Sequence, residues 1–357
     1  MSASRSQSQP AALPEEEHNR LMRAVQAGVP FDERPFARVA GEQGLEERAV
    51  LAQLIQWSES GVLREISAVL EGSVLGYDSA LVAGTVPETD LERVVEVVNA
   101  HPTVSHNYLR NHALNLWFTI AVPPEMSLEA TLGFLAEEAG AAAFHPLRRT
   151  HTFKIGVNFD PEKLENRTAA TAPGASQPVR AGERDAVLFR ALQTPLPLVE
   201  RPFSEPAQAA GVSAAELLDF ARGHLGGAIR RYVATLRHRK LGVRANGMVV
   251  WTVPGERIED VGSRLAAAPE VSHCYARNPI EGFPYNVYSM AHGPDRETCR
   301  EVAARLARET GIGDYAVLFS ERELKKARLR YFLPELDAWW AARAGVRAVS
   351  GAGGGSP

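Results

Sequence analysis

The chain is written twice. Val104-Ser-His-Asn-Tyr-Leu-Arg110 returns as Val271-Ser-His-Cys-Tyr-Ala-Arg277, 167 residues later. Glu33-Arg34-Pro35-Phe36 returns at the same offset as Glu200-Arg201-Pro202-Phe203, and Val86-Pro87 as Val253-Pro254. Leu75-Gly76 matches Leu241-Gly242 at an offset one residue shorter. Blocks matched in one order at one spacing mean a duplication, so what must fold is a repeated unit rather than one long chain.

Each copy opens with short helical segments. In the first copy these are Leu21 to Gln26, Pro35 to Gly41 and Glu46 to Trp57, with Gly44 as the break before the third. Pro35 suits a helix start, where its missing N–H costs nothing. The second copy offers Phe189 to Leu192, Glu205 to Ala210 and Ala214 to His224. Three short helices followed by a strand pair form the pattern of a winged helix-turn-helix.

An α/β unit follows. The first copy predicts strand 79–86, helix 88–100, strands 103–109 and 115–122, a helix from Ser127 to Glu138 and a last strand over 152–158. The second copy repeats this as 247–253, 258–267, 271–275, 285–292, 296–310 and 315–319. The order β-α-β-β-α-β is ferredoxin-like. The predicted fold class is therefore α+β, a tandem duplication of a winged helix-turn-helix plus a ferredoxin-like unit. The expected domains are a tail at 1–18, winged helices at 19–65 and 185–232, ferredoxin-like units at 66–165 and 233–333, a linker at 166–184 and a C-terminal tail at 334–357.

Charge narrows the function. The 357 residues carry a net charge of −4, but residues 1–165 hold −10 and residues 166–357 hold +6, which places anion-binding work in the second half. A DNA reader neutralises phosphates with Lys and Arg. The recognition-helix candidates instead carry Glu46 and Glu47 against Arg48, and Glu216 and Asp219 against Arg222, so nucleic acid is not the expected partner. No apolar run reaches the roughly 18 residues of a membrane span, and the N-terminus has no signal core, so the expected location is the cytoplasm, with no membrane partner. Cys274 and Cys299 are the only cysteines, which excludes a disulfide framework, and the histidine spacings match no zinc pattern.

The residues suited to chemistry lie on the repeated motif. At strand spacing His106, Tyr108 and Arg110 share a face, as do His273, Tyr275 and Arg277. An imidazole, a phenol and a guanidinium on one face make a wall able to bind and protonate an anion. The competing reading has the two histidines capping strand turns. His112 follows the first motif, and His292 ends the strand that begins at Tyr285. A second cluster, Arg230-Arg231, Arg237-His238-Arg239-Lys240 and Arg244, has as the counterpart of its central run in the first copy Glu71-Gly72-Ser73-Val74, which carries no positive charge. It reads either as a solvated wing or as an anion site specific to the second copy. Trp117 sits on the motif-bearing sheet, as core or as a platform.

These motifs are familiar. His101-Pro-Thr-Val-Ser-His-Asn-Tyr-Leu-Arg110 with Asn115-Leu-Trp-Phe-Thr119 resembles one subunit type of siroheme decarboxylase. Val271 to Arg277, Pro284-Tyr-Asn-Val-Tyr288, His292-Gly293, Glu323 to Lys326 and Tyr331-Phe332 resemble the other. Phe283-Pro284 departs from the commoner Trp-Pro. Both types are similar to Lrp/AsnC regulators, and the resemblance covers residues 19–333 in the fused D–L arrangement of haem d1 biosynthesis. It implies loss of two acetate carboxylates from siroheme, giving 12,18-didecarboxysiroheme, with no cofactor beyond the substrate's own iron and no protein metal site. For such a reaction the catalytic candidates are His238 and His273, then His112 and His106, with His292 an alternative or an iron ligand, and the substrate-binding candidates are Arg237, Arg239, Lys240, Arg244, Arg277, Arg110, Tyr108, Tyr275, Tyr285, His292 and Trp117. Expected partners are siroheme and a second copy of the chain in a dimer, with the need for separate G and H type subunits left open. The alternatives are a haem- or siroheme-responsive regulator and a non-catalytic subunit.

Overall fold

The structure, a computed structural model, describes residues 13–140, 143–155, 158–160, 165–167, 179–236 and 245–351. The first copy runs α1 (Glu15–Ala27), α2 (Pro35–Gln43), α3 (Glu47–Glu59), β1 (Leu63–Leu70), β2 (Asp78–Gly84), α4 (Leu91–Ala100), β3 (His106–Arg110), β4 (Leu116–Val122), α5 (Leu128–Ala139) and β5 (Phe144–Ile155). Two short strands follow, β6 (Asn158–Asp160) and β7 (Glu165–Arg167). The second copy then runs α6 (Glu183–Gln193), α7 (Ser204–Ala209), α8 (Ala214–His224), β8 (Ile229–Leu236), β9 (Ala245–Trp251), α9 (Ile258–Ala267), β10 (Val271–Arg277), β11 (Val287–Gly293), α10 (Arg296–Thr310) and β12 (Tyr315–Lys326). A last helix, α11, spans Pro334–Gly351.

Local chemistry sets several boundaries. Pro35 occupies the first turn of α2, and Gly44, at φ 66°, ends it in the left-handed conformation that a Cβ disfavours. Ser127 caps α5 by accepting from the Ala130 N–H, and Ser213 and Glu216 form a reciprocal capping box on α8.

The chain forms two compact units that cut across the tandem order. The first contains 1–70, 158–165 and 191–242, so it joins helical segments of both copies. Instead of a strand pair within each winged helix, each copy gives one strand: β1 and β8 pair antiparallel, with Ser67 opposite Val233. Phe31 of the first copy packs against Phe203 and Tyr232 of the second. The repeated Glu-Arg dipeptide pairs with itself, Arg34 with Glu200 at 3.2 Å and Arg201 with Glu33. These exposed pairs contribute little energy but show that the copies meet as a symmetric dimer would.

The second unit contains 71–157, 166–190 and 243–357. Each copy supplies a four-stranded sheet, ordered β3-β4-β2-β5 and β10-β11-β9-β12, and the two close into one eight-stranded barrel. Closure depends on the twelve-residue strands β5 and β12. Residues 144–148 pair with β2, and the rest of β5 pairs with β10. Likewise 315–319 pair with β9, and 320–326 continue onto β3. Full closure removes the exposed strand edges that two separate sheets would carry.

Apolar residues sort by strand period. Val82, Phe118 and Ile120 pack under α4 and α5, and Val249, Trp251 and Cys274 under α9 and α10. The opposite faces build the barrel interior from Trp117, Leu147, Met248, Val250, Tyr288 and Leu318. Residues 334–351, expected to be tail, are helical, and Trp339 is buried against Phe134 and His101. Residues 15–18 likewise belong to α1 rather than to an N-terminal tail. The expected linker at 166–184 lies mostly outside the described residues, and α6 has begun by Glu183. Among the described residues no helix is long and apolar enough to cross a membrane.

His101 belongs to this core. It is fully buried, its ring stands edge-on to Trp339 at 4.4 Å, and its Nδ1 accepts from the Thr103 N–H. Burial, helped by Lys325 and Arg343, lowers its pKa to about 3. Below pH about 6.5 the unfolded chain therefore takes up a proton that the folded chain refuses, so stability falls with pH until about pH 3. His101→Gln is expected to flatten this acid limb in urea unfolding, removing roughly 3 kcal/mol of pH dependence between pH 7 and pH 4. An unaltered limb would place the acid sensitivity elsewhere.

Candidate active site

Strands β3 and β10 carry the repeated motif, and their alternation decides what faces inward. On β3, Asn107 turns to the helical layer, where its Nδ2 donates to Asn99 Oδ1 at 3.0 Å, and Leu109 packs there too. His106, Tyr108 and Arg110 take the other face: the His106 and Tyr108 rings lie 6.2 Å apart, and Arg110 lies 5.4 Å from the Tyr108 ring. On β10, the Cys274 thiol turns toward Gly262 of α9. His273, Tyr275 and Arg277 share the inward face, with spacings of 6.1 and 5.3 Å. The two triplets are copies of one geometry on opposite sheets of the barrel.

The arginines are the electrostatic centre. Arg110 is 6 % exposed, and its Nη1 donates to the Leu318 carbonyl at 3.1 Å. Arg277 donates from Nη1 to the Leu147 carbonyl at 2.7 Å and also lies over Tyr288 at 5.6 Å. Each thus reaches a closing strand from the opposite copy. Among the described residues the Nε of both is buried without a hydrogen-bond partner. Burial lowers each guanidinium to about 10, which leaves both charged at neutral pH. Among the described residues neither has a carboxylate partner. A buried cation balanced only by a carbonyl and aromatic faces is costly in the empty protein and favours an anionic ligand.

The histidines occupy different settings. Ser272 Oγ lies 2.8 Å from His273 Nδ1 and 2.6 Å from His292 Nε2. His292 follows Tyr288 and Met290 at strand spacing, and those two pack in the barrel interior. In the first copy Ser105 Oγ lies 3.1 Å from His106 Nδ1, and its second neighbour is Thr119 Oγ1 at 2.8 Å. His112 accepts at Nδ1 from the Leu114 N–H and stands edge-on to Phe283, 5.2 Å away. Burial lowers its pKa. Phe283 joins Trp117 at 5.5 Å and Tyr285 at 4.8 Å, so the loop before β11 lays an aromatic cluster against β4.

The structure therefore brings together Tyr108, Tyr275, Arg110 and Arg277 with His106, His273 and His292, and groups Trp117, Tyr285 and His112 around Phe283. Arg230 and Arg231 lie on β8 in the first unit, not on the barrel. Arg237, His238, Arg239, Lys240 and Arg244 fall outside the described residues. Two asparagines that the sequence places only within its motifs have a structural role. Asn115 and Asn286 each bond both ways to the backbone of the preceding strand's end, Asn115 to Val86 and Asn286 to Val253. They tie the motif hairpin of each copy to its neighbour. The signal was their matched place before β4 and β11, hidden because the longer loop of the second copy moves the offset from 167 to 171.

Comparison with known proteins places this geometry. A family described as AsnC-like ligand binding domain matches residues 74–154 and 240–325, and one described as siroheme decarboxylase NirDL-like HTH domain matches 18–64 and 185–225. A siroheme decarboxylase of Hydrogenobacter thermophilus is 40% identical over 91% of this chain and 97% of its own length. The siroheme decarboxylase NirDL subunit of Paracoccus pantotrophus is 34% identical over 85% and 93%. A siroheme decarboxylase beta subunit of Methanosarcina barkeri is 42% identical over 97% of its own length but only 41% of this chain. The crystal structure of the siroheme decarboxylase NirDL in complex with an iron-uroporphyrin III analogue superposes with a TM-score of 0.77 at 35% identity, over 93% of this chain and 99% of that one.

Proposed function

The chain belongs to the siroheme decarboxylases, and from that premise we propose that it removes carbon dioxide from two acetate side chains of siroheme to give 12,18-didecarboxysiroheme. The observation that carries this reading is the pair Arg110, buried, and Arg277, partly buried, each with a buried Nε and no carboxylate partner among the described residues, set on the two sheets of one barrel. Siroheme is a flat macrocycle fringed with eight carboxylates. Buried guanidiniums suit its rim, and the faces of Tyr108, Tyr275, Tyr285 and Trp117 suit its ring. Arg237, Arg239, Lys240 and Arg244, outside the described residues, are of the charge that the remaining carboxylates would require.

The chemistry is a carbon–carbon cleavage followed by protonation. The acetate carboxylate leaves as carbon dioxide, its bonding electrons stay on the methylene carbon, and one proton from the protein makes that carbon a methyl group. No electrons are gained or lost overall, so the reading calls for no cofactor besides the iron that the substrate brings. An imidazole is a suited donor, since its proton exchanges near neutral pH. His273 and His238 are the first candidates, His112 and His106 the next, and His292 serves behind His273.

Relatives named as alpha and beta subunits are each about as long as half of this chain, so the two copies stand for two subunits fused. The helical segments read as two winged helix-turn-helix halves paired through β1 and β8, with Lrp/AsnC-type ligand units closed into the barrel. Their acidic recognition helices speak against the regulator alternative.

Purified protein incubated anaerobically with siroheme is expected to lose two carbon dioxide from the tetrapyrrole by mass, without separate G and H subunits. Tight binding with no mass change would leave a binding protein or a subunit that needs partners. A salt-sensitive shift of DNA by the siroheme-loaded protein would favour a regulator.

A further inference from the structure

The two copies differ at one hydrogen-bond position that bears on proton supply. In both, a serine hydroxyl holds the motif histidine at Nδ1: Ser105 for His106 and Ser272 for His273. Behind Ser105 stands the neutral hydroxyl of Thr119, whereas behind Ser272 stands His292 at 2.6 Å. Ser272 is fully buried, while both imidazoles that flank it are partly exposed. Its single hydrogen can be donated to only one of them, so the other must donate to it.

We propose that Ser272 is a positioning and relay residue that passes protons from His292 to His273, and that the second copy is therefore the one that protonates the substrate. This rests on the decarboxylase reading. Donation from Ser272 Oγ to His273 Nδ1 leaves the proton of neutral His273 on Nε2. When that proton moves to the carbanion-like methylene carbon, His273 Nδ1 takes the serine hydrogen. Ser272 in turn takes the Nε2 proton of His292, which passes from imidazolium to neutral imidazole and reloads from water. The net transfer is one proton per carbon dioxide released. His273 must be reloaded after each proton it gives, and a macrocycle lying on the inward face blocks direct reloading from that side. Thr119 cannot store a proton near neutral pH, so His106 has no such supply along this route.

The test compares Ser272→Ala, His292→Ala and Ser105→Ala in the intact chain, following carbon dioxide release from siroheme and siroheme binding by absorbance. Ser272→Ala is expected to lower kcat by about tenfold to a hundredfold while KM stays within about threefold, the size expected when acid–base catalysis is impaired but not removed. The solvent-deuterium dependence of kcat should change from a multi-proton curve to a line in this variant. Added imidazole should restore His292→Ala but not Ser272→Ala, which a merely structural role would not predict. Wild-type kcat in Ser272→Ala, a loss confined to KM, or equal kcat losses in Ser105→Ala and Ser272→Ala would each overturn the relay alone. A wild-type protein that binds siroheme and releases no carbon dioxide would overturn the functional reading, and the relay with it.

Discussion

Replacing Arg277 by Met is expected to stabilise the ligand-free protein by about 1–2 kcal/mol while weakening siroheme binding by at least about a hundredfold. The two effects have one cause. Among the described residues the Nε of Arg277 is buried without a partner, and its charge meets the Leu147 carbonyl and two tyrosine faces. A methionine of similar length removes the buried charge and gives up one hydrogen bond to Leu147. When a substrate carboxylate arrives, that charge gains its missing partner, and a desolvated arginine–carboxylate pair is strong and geometrically specific. Arg110, with the same geometry, should behave the same way, and the double variant should be stabler still and bind more weakly than either. Thermal unfolding and absorbance titration read the two signs separately. A destabilised Arg277→Met with unimpaired binding would make both arginines structural.

The shared face of His106, Tyr108 and Arg110 was legible in the sequence because a strand alternates by two and nothing in β3 interrupts it. The lengths of β5 and β12 were not. Their second halves, Arg149 to Ile155 and Ser320 to Lys326, are mostly polar because they leave their own sheet and pair with the other copy. The sequence reading found only part of each strand, 152–158 and 315–319, because the partner strands lie between 118 and 220 residues away. The crossing of β1 to β8 escaped for the same reason: a wing hairpin and an inter-copy pair need the same strand pattern. The C-terminal helix was obscured by the glycine-rich sequence after it, although Trp339 and Trp340 mark the face that packs on Phe134. The Ser272 bridge depends on an irregular register between Val271 and His273, which no periodicity reveals. Sequence alone thus finds residues that alternate and misses those placed by the closure of one copy on the other.

His273→Ala is expected to lower kcat by about 10²- to 10⁴-fold, the usual contribution of a positioned general acid, and to leave siroheme bound. Binding should survive because Arg110 and Arg277 hold the rim, and neither depends on the imidazole. His238→Ala is expected to act alike if the two histidines serve the two acetates. The products then discriminate between them: each single variant should accumulate a mono-decarboxylated tetrapyrrole, and the two isomers should differ. His106→Ala provides the contrast, since its counterpart position in the first copy is backed by Thr119 rather than by an imidazole. Its loss should fall on affinity through the neighbouring Tyr108 ring, 6.2 Å away, more than on turnover. If His273→Ala and His238→Ala both release two carbon dioxide at the wild-type rate, the second copy does not protonate the substrate, and the asymmetry between Thr119 and His292 has no catalytic meaning.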